Sequence, residues 1–335
     1  MLRRMFCAAL LLPGAFALAQ DKPKEPPKKL PRIAISDPKD LKDDQDFAVQ
    51  GEYEGASGQT KLGAQVVANG GGAFTLKVFS GGLPGAGWDG KTKWEQRAYR
   101  GDNGVTFGGM KNGFAGTVGN GILSLKDAGT IEASLKRVER NSPTLGAKPP
   151  EGAVVLFAKE GDEKNWTGGK LVELSDGKYL NTGIKSKQAF GAFTAHVEFR
   201  LPWMPNSTGQ GRGNSGVYLQ DRYELQVLDS FGLSGENNEC GGFYTLHKPK
   251  VNMCLPPMAW QTYDIDFTPA QFDGDKKVKN ARATVRHNGV VIQDDVELKG
   301  PTGGGQPEKN TPGVFQFQNH GDPLVFRNVW VVEKK

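Results

Sequence analysis

Apolar and polar positions alternate with period two along much of this chain, and sustained helical periodicity is scarce. From Phe193 to Leu201, Ala195, Val197, Phe199 and Leu201 fall on one face and Thr194, His196, Glu198 and Arg200 on the other. Tyr223, Leu225 and Val227 alternate with Glu224 and Gln226, and residues 261–267 alternate in the same way. Residues 281–286 and 290–292, joined through His287-Asn288-Gly289, predict a hairpin with an Asn-Gly turn. Residues 314–318 and 325–331 finish the set. Strands at this spacing predict a two-sheet sandwich of jelly-roll type over 153–335.

The part before residue 140 has another texture. Residues 51–121 contain 20 of the 46 glycines, with short alternating runs such as 65–68, 74–79 and 104–107 between them. Asn69-Gly70 and Asn103-Gly104 predict tight turns. The expected class is all-β: a small glycine-rich β domain over 40–140, a Pro-rich linker over 141–152, then the sandwich. Gly85-Ala86-Gly87-Trp88-Asp89-Gly90 matches a dinucleotide fingerprint in letters only. It follows Gly81-Gly82-Leu83-Pro84 rather than a strand, and no helix pattern follows, so it reads as a surface loop.

The first residues suggest an address. Arg3 and Arg4 precede an apolar run from Met5 to Leu18, and Ala17-Leu18-Ala19 is a small-x-small cleavage signal. Residues 1–19 therefore read as a signal peptide cleaved after Ala19, with only a weak twin-arginine character. The run is short and broken by Pro13, unlike a membrane span. Residues 20–39 form a charged, proline-rich linker. A secreted or periplasmic protein is expected, with no membrane span in the mature chain. Its net charge falls from +5 to about +3 without Arg3 and Arg4, dispersed along the chain, which does not indicate a nucleic-acid surface. Apart from Cys7 in the leader, Cys240 and Cys254 can form one disulfide or remain two thiols, and their spacing fits no zinc motif.

Candidate chemistry gathers around Glu224 and Gln226, a carboxylate and an amide on the polar face of one strand. A plain solvated face is the alternative, since polar-out alternation is normal in antiparallel sheets. There are four histidines. His320 lies in a Gln318-Asn319-His320-Gly321 turn after a strand, where an imidazole can reach a groove or bond its own loop. His247 lies between the two cysteines. His287 starts the hairpin turn and is expected to be exposed. His196 shares a face with Glu198 and Arg200, which favours a structural ion pair. Trp260, after Pro256-Pro257, reads as a structural cap.

The ordered set Phe199-Arg200-Leu201-Pro202, Gly213-Asn214-Ser215-Gly216-Val217, Tyr223-Glu224-x-Gln226-x-x-Asp229, Gly242-Phe243-Tyr244, Trp260-Gln261-Thr262-Tyr263-Asp264, His287-Asn288-Gly289-Val290, Gln318-Asn319-His320-Gly321 and Phe326-Arg327-Asn328 resembles the 3-keto-disaccharide hydrolase family. The resemblance covers about 153–335. The N-terminal part looks like the extra domain of planctomycete-type secreted members, for which adhesion or docking is one reading. The resemblance implies a concanavalin-like sandwich, related in shape to family-sixteen glycoside hydrolases. It implies carbohydrate substrates already oxidised to the 3-ketone, and hence an upstream sugar 3-oxidoreductase. On such a substrate the ketone acidifies the C2 proton, a base removes it, the C1 group leaves and water adds back, as hydrolase, lyase or hydratase. Glu224, His320 and Asp229 are the expected catalytic residues. Gln226, Asn214, Tyr244, Arg200, Gln318, His247 and Arg327 are the expected substrate contacts. A divalent cation is left open, because Glu224, Asp229 and His320 are oxygen and nitrogen donors.

Two other readings stand beside this one. The same fold can serve as a carbohydrate-binding protein without turnover. A conventional retaining glycosidase needs two carboxyl groups about 5–5.5 Å apart. The family-sixteen pattern of Glu, Asp and Glu on one strand is here Glu224, Gln226 and Asp229, and positions 224 and 229 share a face only across a bulge.

Overall fold

The structure, a computed structural model, describes residues 30–102, 104–108, 115–126 and 132–334. The leader and most of the first linker lie outside the described residues. Residues from 32 onward form one compact unit. No helix among the described residues is long and apolar enough to cross a membrane.

The glycine-rich part closes into a barrel. Eight antiparallel strands run as a meander from Gly51–Ser57 to Glu132–Val138, and the first pairs with the last. Inward-facing Tyr53, Ala64, Val66, Leu76, Val105, Leu123 and Leu135 fill its interior. Glycine is needed where a loop crosses the wall: a Cβ on Gly63 would stand 2.6 Å from the Gly82 carbonyl carbon and the Leu83 nitrogen. The Gly85–Gly90 stretch is part of that loop, joining the strands Ala73–Ser80 and Lys93–Gly101. It is no nucleotide turn.

The second part is the sandwich. Its smaller sheet pairs the strands Trp166–Thr167, Ile184–Phe190, Gly313–Phe317, Ser215–Leu219 and Tyr223–Val227 in that spatial order. Its larger sheet has Phe193–Arg200, Trp260–Thr268 and Val325–Glu333 at the centre. Alternation does what the sequence predicts: Ala195, Val197, Phe199, Leu225, Val227, Phe315 and Phe317 meet between the sheets. The hairpin 281–298 turns at Asn288 and Gly289, both at positive φ, as the Asn-Gly pair requires.

The two parts share side chains. Trp203, from the loop after the strand Phe193–Arg200, is fully buried in the barrel's cluster. It packs edge-on against Phe47 of the short helix Gln45–Val49, and its indole N–H donates to Asp44 at 2.9 Å. Val67 of the barrel joins the sandwich core in return, and Arg212 donates to the carbonyl of Ala68 at 3.0 Å.

The larger sheet corrects the expectation for His287. It is buried, not exposed, because the alternation of 281–287 carries through to its last residue and turns the imidazole inward against Phe199 and Tyr263. Burial pushes its pKa down to about 3. His196 forms the ion pair expected of it, with Asp264 at 2.6 Å and Glu198 at 3.3 Å. The stretch 142–147 is not a free linker. Thr144 donates to Asp264 at 2.7 Å and the Gly146 N–H to Glu198 at 2.5 Å, strapping the segment over this network.

Candidate active site

The polar face of the strand Tyr223–Val227 opens onto a cleft of about 350 Å³. Gln210, Asn214, Glu224, Gln226, Tyr244, Gly303, Gly304, Gln318 and His320 line it. Backbone pairing puts these groups together. In the antiparallel register Tyr218 lies opposite Glu224 and Gly216 opposite Gln226, and Gln318 N–H donates to the carbonyl of Gly216 at 2.9 Å. The outer edge of the strand is not left open: the Gln226 and Tyr244 N–H groups bond Gly242 and Glu224 carbonyls at 2.9 and 3.1 Å. The Glu224 N–H donates to Thr302 Oγ1 at 2.8 Å. Both flanking segments thereby become walls of the cleft.

Glu224 is 3% exposed. Burial pushes its pKa up, the hydrogen bond from Tyr218 partly offsets this, and the result is about 7. Tyr218 Oη donates to Glu224 Oε2 at 2.9 Å, is 2.9 Å from the Gly303 carbonyl, and accepts from Gln318 Nε2 at 3.2 Å. Burial, then the neighbouring carboxylate, pushes the Tyr218 pKa upward, so this hydroxyl stays protonated. Gln226 Nε2 donates to Gln210 Oε1 at 3.0 Å, and Asn214 Nδ2 donates to the Gln210 carbonyl at 2.8 Å. Asn214 Oδ1 and Gln318 Oε1 are buried acceptors without a partner among the described residues. Buried acceptors are seldom left so, and both sit in residues that line the cleft. The Tyr244 ring lies over Gly303, and exposed His320 stands at the rim.

The expected residues thus divide. Glu224, Gln226, Asn214, Tyr244, Gln318 and His320 share the cleft. Asp229 does not join them. The strand ends at Val227, and the buried Asp229 carboxylate is bound by Arg212 at 2.5 Å, so no bulge brings it beside Glu224. Arg200 and Arg327 belong to the larger sheet. Arg200 pairs with Asp176 and Arg327 with Glu198 at 2.7 Å, and both guanidinium groups lie over the Trp260 ring. His247 shares a 2.8 Å hydrogen bond with the Glu297 carbonyl and is not in the cleft wall. Cys240 and Cys254 are buried free thiols, with Cys240 Sγ 3.1 Å from Tyr263 Oη. Among the described residues no three His, Cys, Asp or Glu side chains cluster as a metal site.

Sequence reading missed Tyr218, Gln210 and Thr302. The alternation Asn214, Gly216, Tyr218, followed by a short turn with Gln220 and Asp221 at positive φ, was a legible signal for Tyr218. Gln210 and Thr302 lie in loops without periodicity.

Two crystal structures of candidate glycosyl hydrolases from Parabacteroides distasonis ATCC 8503 are similar to the chain. One is 33% identical with a TM-score of 0.49 over 55% of this chain and 85% of that one. The other is 16% identical with a TM-score of 0.38 over 55% and 95%. No curated protein matches the chain. The family model of the 3-keto-alpha-glucoside-1,2-lyase-like domain matches residues 152–332, more than half the chain. By this match, over the sandwich that carries the Glu224 cleft, the chain belongs to the 3-keto-alpha-glucoside-1,2-lyase-like family of carbohydrate-active proteins.

Proposed function

We propose that the protein cleaves neutral 3-keto-glycosides by proton abstraction at C2, elimination of the C1 substituent and hydration. The observation that carries this reading is that Glu224 is the one carboxylate among the described residues lining the cleft, and that it titrates near neutrality. A double displacement needs a second carboxyl group within about 5–5.5 Å. Removal of a proton next to a ketone needs one base matched to the working pH.

Glu224 takes the C2 proton, and the electron pair of that bond becomes the C1=C2 bond as the C1–oxygen bond breaks. The departing oxygen receives a proton from an acid, a role we assign to His320 at the rim. Water then delivers hydroxyl to C1 and a proton to C2. Negative charge on the ketone oxygen needs a donor during the first step, and the Tyr244 hydroxyl is available for it. A neutral substrate fits because among the described residues no Lys or Arg lines the cleft, while the buried acceptors Asn214 Oδ1 and Gln318 Oε1 call for hydroxyl donors. A sugar 3-oxidoreductase upstream supplies the ketone, and the apolar run Met5–Leu18 supports export.

The test is a paired assay of aglycone release from a glucoside and its 3-keto derivative in heavy water. Release from the keto form alone, with deuterium appearing at C2, supports elimination. Release from the plain glucoside without C2 exchange would establish a conventional glycosidase. Saturable sugar binding with no release from either would leave a binding protein.

A further inference from the structure

The two oxygens of the Glu224 carboxylate have different surroundings. Oε2 is held by Tyr218. Oε1 lies over Gly216, where a Cβ would stand 2.3 Å from Oε1, 2.8 Å from Cγ and 2.9 Å from Cδ. Carbon atoms do not approach so closely without displacement. Gly216 sits inside the strand Ser215–Leu219 and is not among the residues at positive φ. Its backbone would accept any L-residue. The need for glycine comes from the carboxylate.

We propose that Gly216 is a positioning residue for Glu224: its missing Cβ forms the berth that leaves Oε1 as the reacting oxygen, while Tyr218 anchors Oε2. The inference rests on the reading of Glu224 as the base. The substrate's C2 proton arrives on Oε1, and the Tyr218 hydroxyl remains a donor to Oε2 in both protonation states. An added methyl group at 216 meets the Glu224 side chain from Cγ to Oε1 rather than backbone. The strand keeps its place and the carboxylate loses its own. The other ionisable groups around this carboxylate are Tyr218 on the neighbouring strand, Tyr244 on the flanking loop and His320 on the turn after Gly313–Phe317. Among the described residues no Lys or Arg lines the cleft beside them.

The experiment compares the full chain, Gly216→Ala and Tyr218→Phe on 4-nitrophenyl 3-keto-α-glucoside. It records kcat, KM, thermal midpoint, pH profile and the Glu224 carboxyl titration by carbon-13 NMR. Gly216→Ala should lower kcat by at least about 100-fold, the contribution of a placed general base. Its KM and midpoint should stay near those of the parent. Tyr218→Phe removes the bond that lowers the Glu224 pKa, so the acidic limb should move to higher pH. Parental kcat in Gly216→Ala overturns the proposal. If that variant does not fold, an unchanged acidic limb in Tyr218→Phe overturns it instead. Absence of turnover in the parent chain would end the elimination reading, yet the NMR titration still tests the berth. A Glu224 titration altered in both variants supports it, and one unaltered by either overturns it.

Discussion

Tyr218 and Glu224 stand directly opposite each other on adjacent antiparallel strands, and the tyrosine hydroxyl donates to the carboxylate at 2.9 Å. The pair occupies the buried floor of a cleft whose other polar groups are amides, a second tyrosine and one histidine. A carboxylate held by one hydroxyl, with no cation beside it among the described residues, keeps much of the cost of its burial. That leaves it a base at neutral pH rather than a permanently ionised group.

Turnover should therefore rise with pH as Glu224 ionises. The acidic limb of kcat/KM is expected to have its midpoint near 7. Glu224→Gln, which keeps the size and one acceptor, should lose about 10²–10⁴-fold in kcat. A pH–rate profile of parent and variant checks both. A limb near the ordinary glutamate value would remove Glu224 from the role.

The same shift predicts a stability effect of known sign. The Glu224 pKa is raised from 4.5 to about 7, so the folded state holds its proton more tightly than the unfolded state does. Its stabilising contribution is complete below pH 4.5 and is lost as pH rises through 7. At pH 8 Glu224→Gln should be more stable than the parent, by on the order of 3 kcal/mol. At pH 4 the two should nearly coincide. Urea unfolding at the two pH values measures the difference.

Glu198 carries the opposite sign. Burial raises its pKa, but hydrogen bonds from His196, Asn328 and Arg327 outweigh that and bring it down to about 2. Its contribution is present above pH 4.5 and is lost as pH falls through 2. Glu198→Ala also leaves His196 and Arg327 short of a partner and frees the 142–147 strap, a loss of about 3–5 kcal/mol. Since this network is on the larger sheet, activity per folded molecule should be unchanged. Chemical denaturation together with active-site titration separates the two effects.

The barrel should not be removable. Trp203→Ala should cost about 3–5 kcal/mol, because it empties an aromatic site in the barrel cluster from the sandwich side. Its unfolding should remain one cooperative transition. Deleting residues 40–140 exposes Trp203 and strips Val67 from the sandwich core, so that chain should be insoluble or unfolded. A soluble, active deletion product would show the barrel to be an appended module.

Much of the fold was legible because period-two alternation is a local property that survives in any folded context. It marked strands over 193–201, 223–229 and 281–286, close to the observed Phe193–Arg200, Tyr223–Val227 and Ala281–His287, with the Asn-Gly hairpin and the polar pair Glu224 and Gln226. Local pattern also led to one misjudged side chain: His287 looked exposed beside its turn, yet the inward parity of its strand continued through it. Position in sequence could not say which sheet a polar face belongs to. Arg200, Arg327 and Glu224 all sit on polar faces of strands, but the first two point away from the cleft and bind Asp176 and Glu198.

By itself the sequence determined the strand pattern, the glycine-rich and regular halves, and the motifs that place 152–332 in its family. Those depend on residue order and short-range sterics. Only the tertiary structure decided that eight short strands close into a barrel. It alone tied Asp229 to Arg212, buried Glu224 against Tyr218, and set its carboxylate over Gly216. These are contacts between distant or cross-strand atoms, fixed by register and desolvation, and a residue's chemistry is set by what surrounds it once the sheets have closed.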